Sequence, residues 1–228
     1  MYHAAEMAKA LGHKAVTILE LGVAGGNGLV CLCEHREEIQ KLLGIEIVVV
    51  GFDTGAGLPP SRDVRDLLYC WPTGSFKMDR GALEKRIAGR AQLVIGDVAK
   101  TVASWIPRPE APIGAIMFDL DFYSSTVDAL PLLTKANVLP RVWCYFDDIY
   151  GYSENCYTER IGVREAIREF GVAVERDILS DHLSPAFTFK GLQPEAWHEH
   201  IYLYHRFSHP DYNICLSRDE RHELRLTA

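Results

Sequence analysis

The sequence lacks the features that would place it in several large functional classes. Its 228 residues contain no apolar run approaching 18 residues, so no stretch is long enough to cross a bilayer as a helix. The opening segment Met1-Tyr2-His3-Ala4-Ala5-Glu6 has no charged-then-apolar pattern of a secretory signal, and a cytoplasmic location is expected. Positive charge is in deficit: 24 Lys and Arg face 31 Asp and Glu, a net charge of −7. Nucleic acid and membrane surfaces are therefore not expected partners. The six cysteines, Cys31, Cys33, Cys70, Cys144, Cys156 and Cys215, include no Cys-x-x-Cys pair, which argues against a zinc or disulfide framework and for free thiols. Cys31 and Cys33, two apart on an expected helix, should face different ways. There is no internal repeat, low-complexity tract or linker, so residues 1–228 read as one domain.

Two nucleotide-binding signatures are also missing. A Gly-x-Gly-x-x-Gly fingerprint beginning at Gly22 would need glycines at 24 and 27, where the chain has Ala24 and Asn27. No Gly-Lys-Ser/Thr follows a glycine-rich stretch, so there is no P-loop.

What is present is an alternation of apolar strands and amphipathic helices. Strands are expected at Val16–Leu21, Ile45–Phe52, Gln92–Ile95, Gly114–Phe118, Val142–Phe146, Val172–Ile178 and Ile201–Phe207. Helices are expected at residues 3–12, Leu29–Leu43, Ala82–Ala88, Val102–Ile106, Ser125–Leu133 (shortened or kinked by Pro131) and Thr158–Phe170, the last capped by Thr158 and stopped by Gly171. The last two strands have no evident helix between them, which allows an antiparallel pair at one edge. The fold class is therefore α/β, a mostly parallel seven-stranded sheet with helices on both faces and an antiparallel edge strand. Residues 54–79 break the pattern, with glycines, prolines and the aromatics Tyr69, Trp71 and Phe76, and read as a lid loop. The aromatics could meet an acceptor or cover the edge of the core.

In open α/β sheets ligands bind beyond the carboxyl ends of the strands, so those ends matter most. The first ends Glu20-Leu21-Gly22-Val23-Ala24-Gly25-Gly26-Asn27-Gly28, a turn that lets a ligand approach the main chain and the next helix. The second ends in Asp53, suited to a ribose diol or to capping a turn. The third ends Gly96-Asp97, where the acid could meet an adenine amino group or cap the following helix. The fourth and fifth carry Phe118-Asp119-Leu120-Asp121 and Phe146-Asp147-Asp148. If these strands are neighbours, about 4.8 Å apart, three or four carboxylates crowd one volume. They would raise one another's pKa, a conflict that a hard divalent cation such as Mg²⁺ removes. His198 and His200 are spaced for one face of a strand.

The combination Glu20-x-Gly22, Phe52-Asp53-Thr54-x-x-Gly57-Leu58-Pro59, Asp119-x-Asp121-x-Tyr123-x-Ser125-Thr126 and Asp147-Asp148 resembles the macrocin O-methyltransferase family, over residues 16–150. The resemblance implies a Rossmann-like class I methyltransferase fold and methylation of a small-molecule hydroxyl, typically on a sugar of a natural product, with S-adenosylmethionine as methyl donor. It implies that Asp119, Asp147 and Asp148 bind Mg²⁺, which holds two neighbouring acceptor hydroxyls. It implies that Asp53 binds the cofactor ribose; Glu20, Gly22, Gly26 and Asp97, at the other strand ends, are the further residues expected at the cofactor site. Asp121 matches the residue assigned as general base in some members, while others use a loop histidine. A homo-oligomer is compatible with these readings. Two rivals stand beside them: an NAD-dependent oxidoreductase, disfavoured by the broken glycine fingerprint, and a non-catalytic adenosyl-binding module, disfavoured by the intact aspartates.

Overall fold

Alternation of buried side chains builds a sheet with two separate cores. The computed structural model describes residues 1–150, 158–174, 177–193 and 195–216. All seven residues of strand β1 (Ala15–Leu21) are buried. Val16 and Ile18 enter one core, and Leu19 and Leu21 the other, as a two-residue period requires. Strand β2 is Glu46–Asp53, β3 is Gln92–Ile95, β4 is Ile113–Phe118 and β5 is Val138–Phe146. β6 is reduced to Ile178–Leu179, and β7 is Ile201–His205. The order across the sheet is β3-β2-β1-β4-β5-β7-β6. Neighbours are parallel from β3 to β5, while β7 runs antiparallel to both β5 and β6. This is the mostly parallel seven-stranded sheet with an antiparallel edge that the sequence implied.

One core lies under α1 (Tyr2–Ala10), α2 (Asn27–Leu43) and α3 (Arg80–Ile87), and includes Ala4, Ala8, Leu29, Cys33 and Leu83. The other lies under α4 (Val98–Ser104), α5 (Tyr123–Ala129) and α6 (Gly162–Ala173), and includes Val102, Tyr123, Ala129, Val163 and Ala166. Cys33 is buried in α2 and Cys31 exposed, as their spacing required. Cys144 is a buried free thiol, and Cys156 lies outside the described residues. No helix among the described residues is long and apolar enough to cross a membrane.

Several boundaries differ from the sequence reading. α4 starts at Val98, four residues before expectation, because the Asp97 carboxylate accepts from Ala99 N–H and caps it. α5 gives way at Leu130 to a 3-10 turn holding Pro131, the expected shortening. α6 starts at Gly162. Thr158 does not cap it; its hydroxyl accepts from Arg160 N–H in a local turn. Gly171 lies inside α6, which runs on to Ala173 and takes the start of the expected sixth strand. Residues 175 and 176 of that expectation fall outside the described set. A helical segment that the sequence did not signal, α7 (Ser184–Phe189) with a 3-10 turn at Ala196–His200, joins β6 to β7. The His198/His200 pair thus sits on that turn and not on a strand face.

The long segment 54–79 is fastened to the body. Leu58 N–H donates to Ser75 C=O and Gly74 N–H to Leu58 C=O, closing the loop on itself. Asp66, fully buried, accepts from Ser61 Oγ, Arg62 N–H and Asp63 N–H within the loop, and from Ser124 N–H and Oγ at the start of α5. Burial pushes its pKa up, but hydrogen bonds from Ser124, Arg62 and Ser61 outweigh that and hold it below the ordinary range. Leu67 and Trp71 pack on Phe122 beside it. Asp66→Ala leaves these donors without their acceptor and should cost about 3 kcal/mol, since each orphaned buried donor costs about 1–3 kcal/mol before water relieves it. Denaturant titration should read this loss, and hydrogen exchange should show residues 58–75 losing protection with it. A loss under about 1 kcal/mol would mean that the loop is held by its apolar contacts instead.

Candidate active site

Strand register brings the chemistry-bearing ends to one level. Phe52 pairs with Leu21, Leu21 with Phe118, and Phe118 with Phe146. All four are buried, and the Phe118 and Phe146 rings stack at 4.6 Å. The next residue on each strand is Asp53, Gly22, Asp119 or Asp147. Below lies a closed apolar row; above it comes a row of carboxylates interrupted by one glycine. From β2 to β5 the row crosses three strand spacings, roughly 14 Å at about 4.8 Å each.

Gly22 is required by this arrangement. Its φ is +87°, and a Cβ built there would lie 1.6 Å from the Asp119 carbonyl oxygen. Its N–H donates to Phe52 C=O, while Asp119 N–H donates to Leu21 C=O. The turn after β1 and the start of the β4 aspartates are thus in backbone contact, with no room for a side chain. Asp53 holds the same turn from the other side: Oδ2 accepts from Val23 and Ala24 N–H, both at 2.9 Å, and Oδ1 accepts from Gly55 N–H. Ala24 has φ +44°, a strained value for a residue with a Cβ.

A cavity of about 280 Å³ lies above this row. Gly22, Asp53, Asp97, Asp119, Asp121, Asp147 and Asp148 all line it. Leu58, Pro59, Trp71 and Phe76 from the 54–79 segment, with Leu120, form its apolar wall. Tyr69 does not reach it and is 68% exposed. Gly26 and Glu20 stand outside the lining. Gly26, with φ +81°, begins α2 and packs on Leu83. Glu20 is buried beneath Gly28; a Cβ there would lie 1.9 Å from its Oε1. Burial, then the charges of Asp119 and Asp53, raise its pKa to about 8.

The aspartates separate by position. Asp119, Asp147 and Asp148 each offer an oxygen within 4.8 Å of the others. Asp148 is buried, and its Oδ2 accepts from Asp121 N–H at 2.9 Å. Asp121 adopts φ +57° to deliver that N–H. Asp119 and Asp147 stay open to solvent. Even so, burial of the Asp119 carboxyl by the surrounding protein, then the charges of Asp148, Asp147 and Asp53, raise its pKa to about 7. Burial and neighbouring carboxylates likewise push Asp121 and Asp148 upward as an interacting pair. The charges acting on these three are other carboxylates, and no cationic side chain of the described residues is among them. An all-oxygen donor set of this kind fits a hard divalent cation.

Sequence reasoning missed two neighbours of this cluster. Tyr145 Oη donates to Asp147 Oδ1 at 2.7 Å, and the His200 ring stacks on Tyr145 at 5.6 Å. The signal for Tyr145 was its position two residues before Asp147, on the same strand face. Nothing in the sequence placed His200. Its partner in the pair, His198, is buried in the turn and accepts from Glu195 N–H.

No protein-family model matches the chain, and neither does any curated protein sequence. Solved structures do. The calicheamicin methyltransferase CalS11 matches with a TM-score of 0.59 at 22% identity, covering 91% of this chain and 77% of that one. The fold is that of a class I methyltransferase. The O-methyltransferase NovP agrees, with a TM-score of 0.59 at 15% identity over 90% of this chain and 77% of that one. An apo structure of CalS11, described as a TDP-rhamnose 3'-O-methyltransferase of calicheamicin biosynthesis, matches with a TM-score of 0.50 at 20% identity over 91% and 78%. At these identities the likeness speaks to the fold alone.

Asp119 ordinarily titrates at 3.8 and here near 7, so between these values the folded chain holds a proton that the unfolded chain has lost. That contribution to stability is present at low pH and disappears as pH rises through about 7. Without metal, Asp119→Asn should therefore melt above wild type at about pH 8, and the advantage should vanish near pH 4. Melting curves in chelator across this range check it. A pH-independent difference would show that neither burial nor the neighbouring carboxylates raise the Asp119 pKa.

Proposed function

We propose that the protein is an S-adenosylmethionine-dependent O-methyltransferase, assisted by a divalent cation and acting on a hydroxyl of a small molecule. The observation that carries this reading is the single cavity in which the glycine turn and Asp53 stand at one end and the carboxylate cluster at the other. CalS11, a calicheamicin methyltransferase, and NovP, an O-methyltransferase, share the fold and support it. The sheet order also weighs against the oxidoreductase alternative. A dinucleotide-binding sheet runs 3-2-1-4-5-6, whereas here β7 is inserted antiparallel between β5 and β6. The macrocin-type branch, with a sugar-like acceptor, is the finer form of the proposal and rests on the Asp119-x-Asp121-x-Tyr123-x-Ser125-Thr126 and Asp147-Asp148 motifs.

In this reading Asp53 and the turn at Gly22–Ala24 hold the donor's ribose side, with Asp97 beyond the end of the neighbouring strand β3. Asp97 already caps α4 through Oδ1 and also lines the cavity. Gly26 and Glu20 shape the turn from outside the cavity. Asp119, Asp147 and Asp148 would hold the cation, which would supply a lowered pKa to an acceptor hydroxyl. Asp121, outside the trio and lining the same cavity, takes the hydroxyl proton as the oxygen attacks the methyl carbon and the donor's carbon–sulfur bond breaks, its electron pair passing to sulfur and S-adenosylhomocysteine leaving. Trp71, Phe76 and Leu58 exclude water from the acceptor side, and orientation supplies much of the rate.

Methyl transfer to a panel of vicinal-diol metabolites with methyl-labelled donor should require Mg²⁺ or Mn²⁺. Asp119→Asn, Asp147→Asn and Asp148→Asn should lose that activity and the Mg²⁺-induced rise in melting temperature. S-Adenosylhomocysteine affinity should stay nearly unchanged in each. Asp121→Asn should keep the melting shift and lose turnover. Methyl transfer that persists in chelator would overturn the metal assignment.

The donor side is tested separately. Asp53→Ala should weaken S-adenosylhomocysteine binding by about 1.5–3 kcal/mol, the range for hydrogen bonds to a charged group. Unchanged affinity in calorimetry would remove Asp53 from the donor site and leave it only its grip on the turn.

A further inference from the structure

Two of the three clustered aspartates have one oxygen already engaged. Asp148 is fixed from within by Asp121 N–H. Asp147 is exposed, at the start of a single 3-10 turn (Asp147–Ile149), where its side chain would otherwise rotate freely. Its Oδ1 accepts from the Tyr145 hydroxyl at 2.7 Å, which holds the carboxylate in one orientation beside the cluster.

Tyr145 is itself held from outside the parallel part of the sheet. In β5 it pairs with Ile201 of the antiparallel strand β7. His200, the residue before Ile201, lays its ring on the Tyr145 ring at 5.6 Å and 20° between planes. The His200 ring is anchored by a 2.7 Å bond between Nδ1 and Phe146 C=O, with Nδ1 donating, and Tyr150 meets it edge-on at 6.1 Å. The chain of contacts thus runs from the β7 edge through His200 and Tyr145 to Asp147.

We propose that Tyr145 is a positioning residue for a divalent cation, turning the Asp147 carboxylate so that one oxygen meets those of Asp119 and Asp148, with His200 as its backing. This rests on the metal-assisted reading above. Hydrogen-bonded partners of metal ligands commonly govern affinity by about 10–100-fold, because they fix ligand orientation before the ion arrives. The Tyr145 hydroxyl does so here without touching the ion.

The test is Mn²⁺ binding to the metal-free protein, read by electron paramagnetic resonance. Tyr145→Phe keeps the ring and its stacking and should bind Mn²⁺ about 10-fold or more weakly, with S-adenosylhomocysteine affinity unchanged. A plain packing role would not produce that split. In an Asp147→Asn background Tyr145→Phe should add little further loss, because the group it orients is already compromised. His200→Phe keeps a ring beside Tyr145 and removes the bond to Phe146 C=O, and should give a smaller weakening. It carries the test if Tyr145→Phe melts early. Wild-type affinity in both variants, with wild type binding Mn²⁺ well, would overturn the positioning role alone. Absence of Mn²⁺ binding in wild type would overturn the metal reading and this inference with it.

Discussion

In-register pairing of β4 with β5 sets Phe118 beside Phe146, and each strand turns from phenylalanine to aspartate at that level. The apolar pair below cannot move without opening the core, so the charged pair above cannot move apart. Most of the unusual local geometry follows from that crowding. Asp121 takes a left-handed backbone so that its N–H can reach Asp148. Tyr145 spends its hydroxyl on Asp147. Glu20, one level below, is driven toward its neutral form by burial and the same charges. A short-range repulsion, fixed in place by hydrophobic register, thereby organises groups from three strands.

The second organising element is a carboxylate of the opposite kind. Asp66 is surrounded by donors rather than by other acids, and its pKa moves down where those of the cluster move up. Burial alone therefore does not decide how an aspartate behaves; its partners do. Asp66 joins the loop carrying Trp71 and Phe76 to the start of α5, directly after Asp121-Phe122. The apolar wall of the cavity and the loop bearing Asp121 are thus ordered together without a ligand, which lowers the entropy to be lost when one binds.

Much of this was legible in the sequence, and the exceptions have physical reasons. Strands β1 to β5 declare themselves as apolar runs, and the row Asp53, Gly22, Asp119, Asp147 follows from asking how each run ends. The crowding of carboxylates from β4 and β5 needed only the assumption that those strands are adjacent, whereas the choice of Asp119, Asp147 and Asp148 among the four came from the family resemblance. Asp66 was invisible because its role depends on Ser124, 58 residues away, and no local pattern marks that pairing. β6 was misjudged because Gly171 reads as a helix stop yet is tolerated inside α6. His200 was noticed but misplaced, since His-x-His fits a strand as well as a turn, and the packing of Phe187 and Trp197 around His198 favours the turn. Glu20 and Gly26 belong to the motif by position, whereas their side-chain surroundings show one beneath the turn and the other against Leu83.

The antiparallel strand has a consequence for how the chain is made. Until Ile201–His205 has been synthesised, β5 is an edge strand with unpaired backbone groups and the apolar side chains of Val142, Cys144 and Phe146. Such an edge is a template for pairing with other chains. More than 50 residues separate the two partners, so a ribosome working at about 5–20 residues per second leaves that edge uncovered for some seconds. The strand that completes the sheet is thus also the one whose late arrival exposes the nascent protein to aggregation, and truncation before residue 201 would make that exposure permanent.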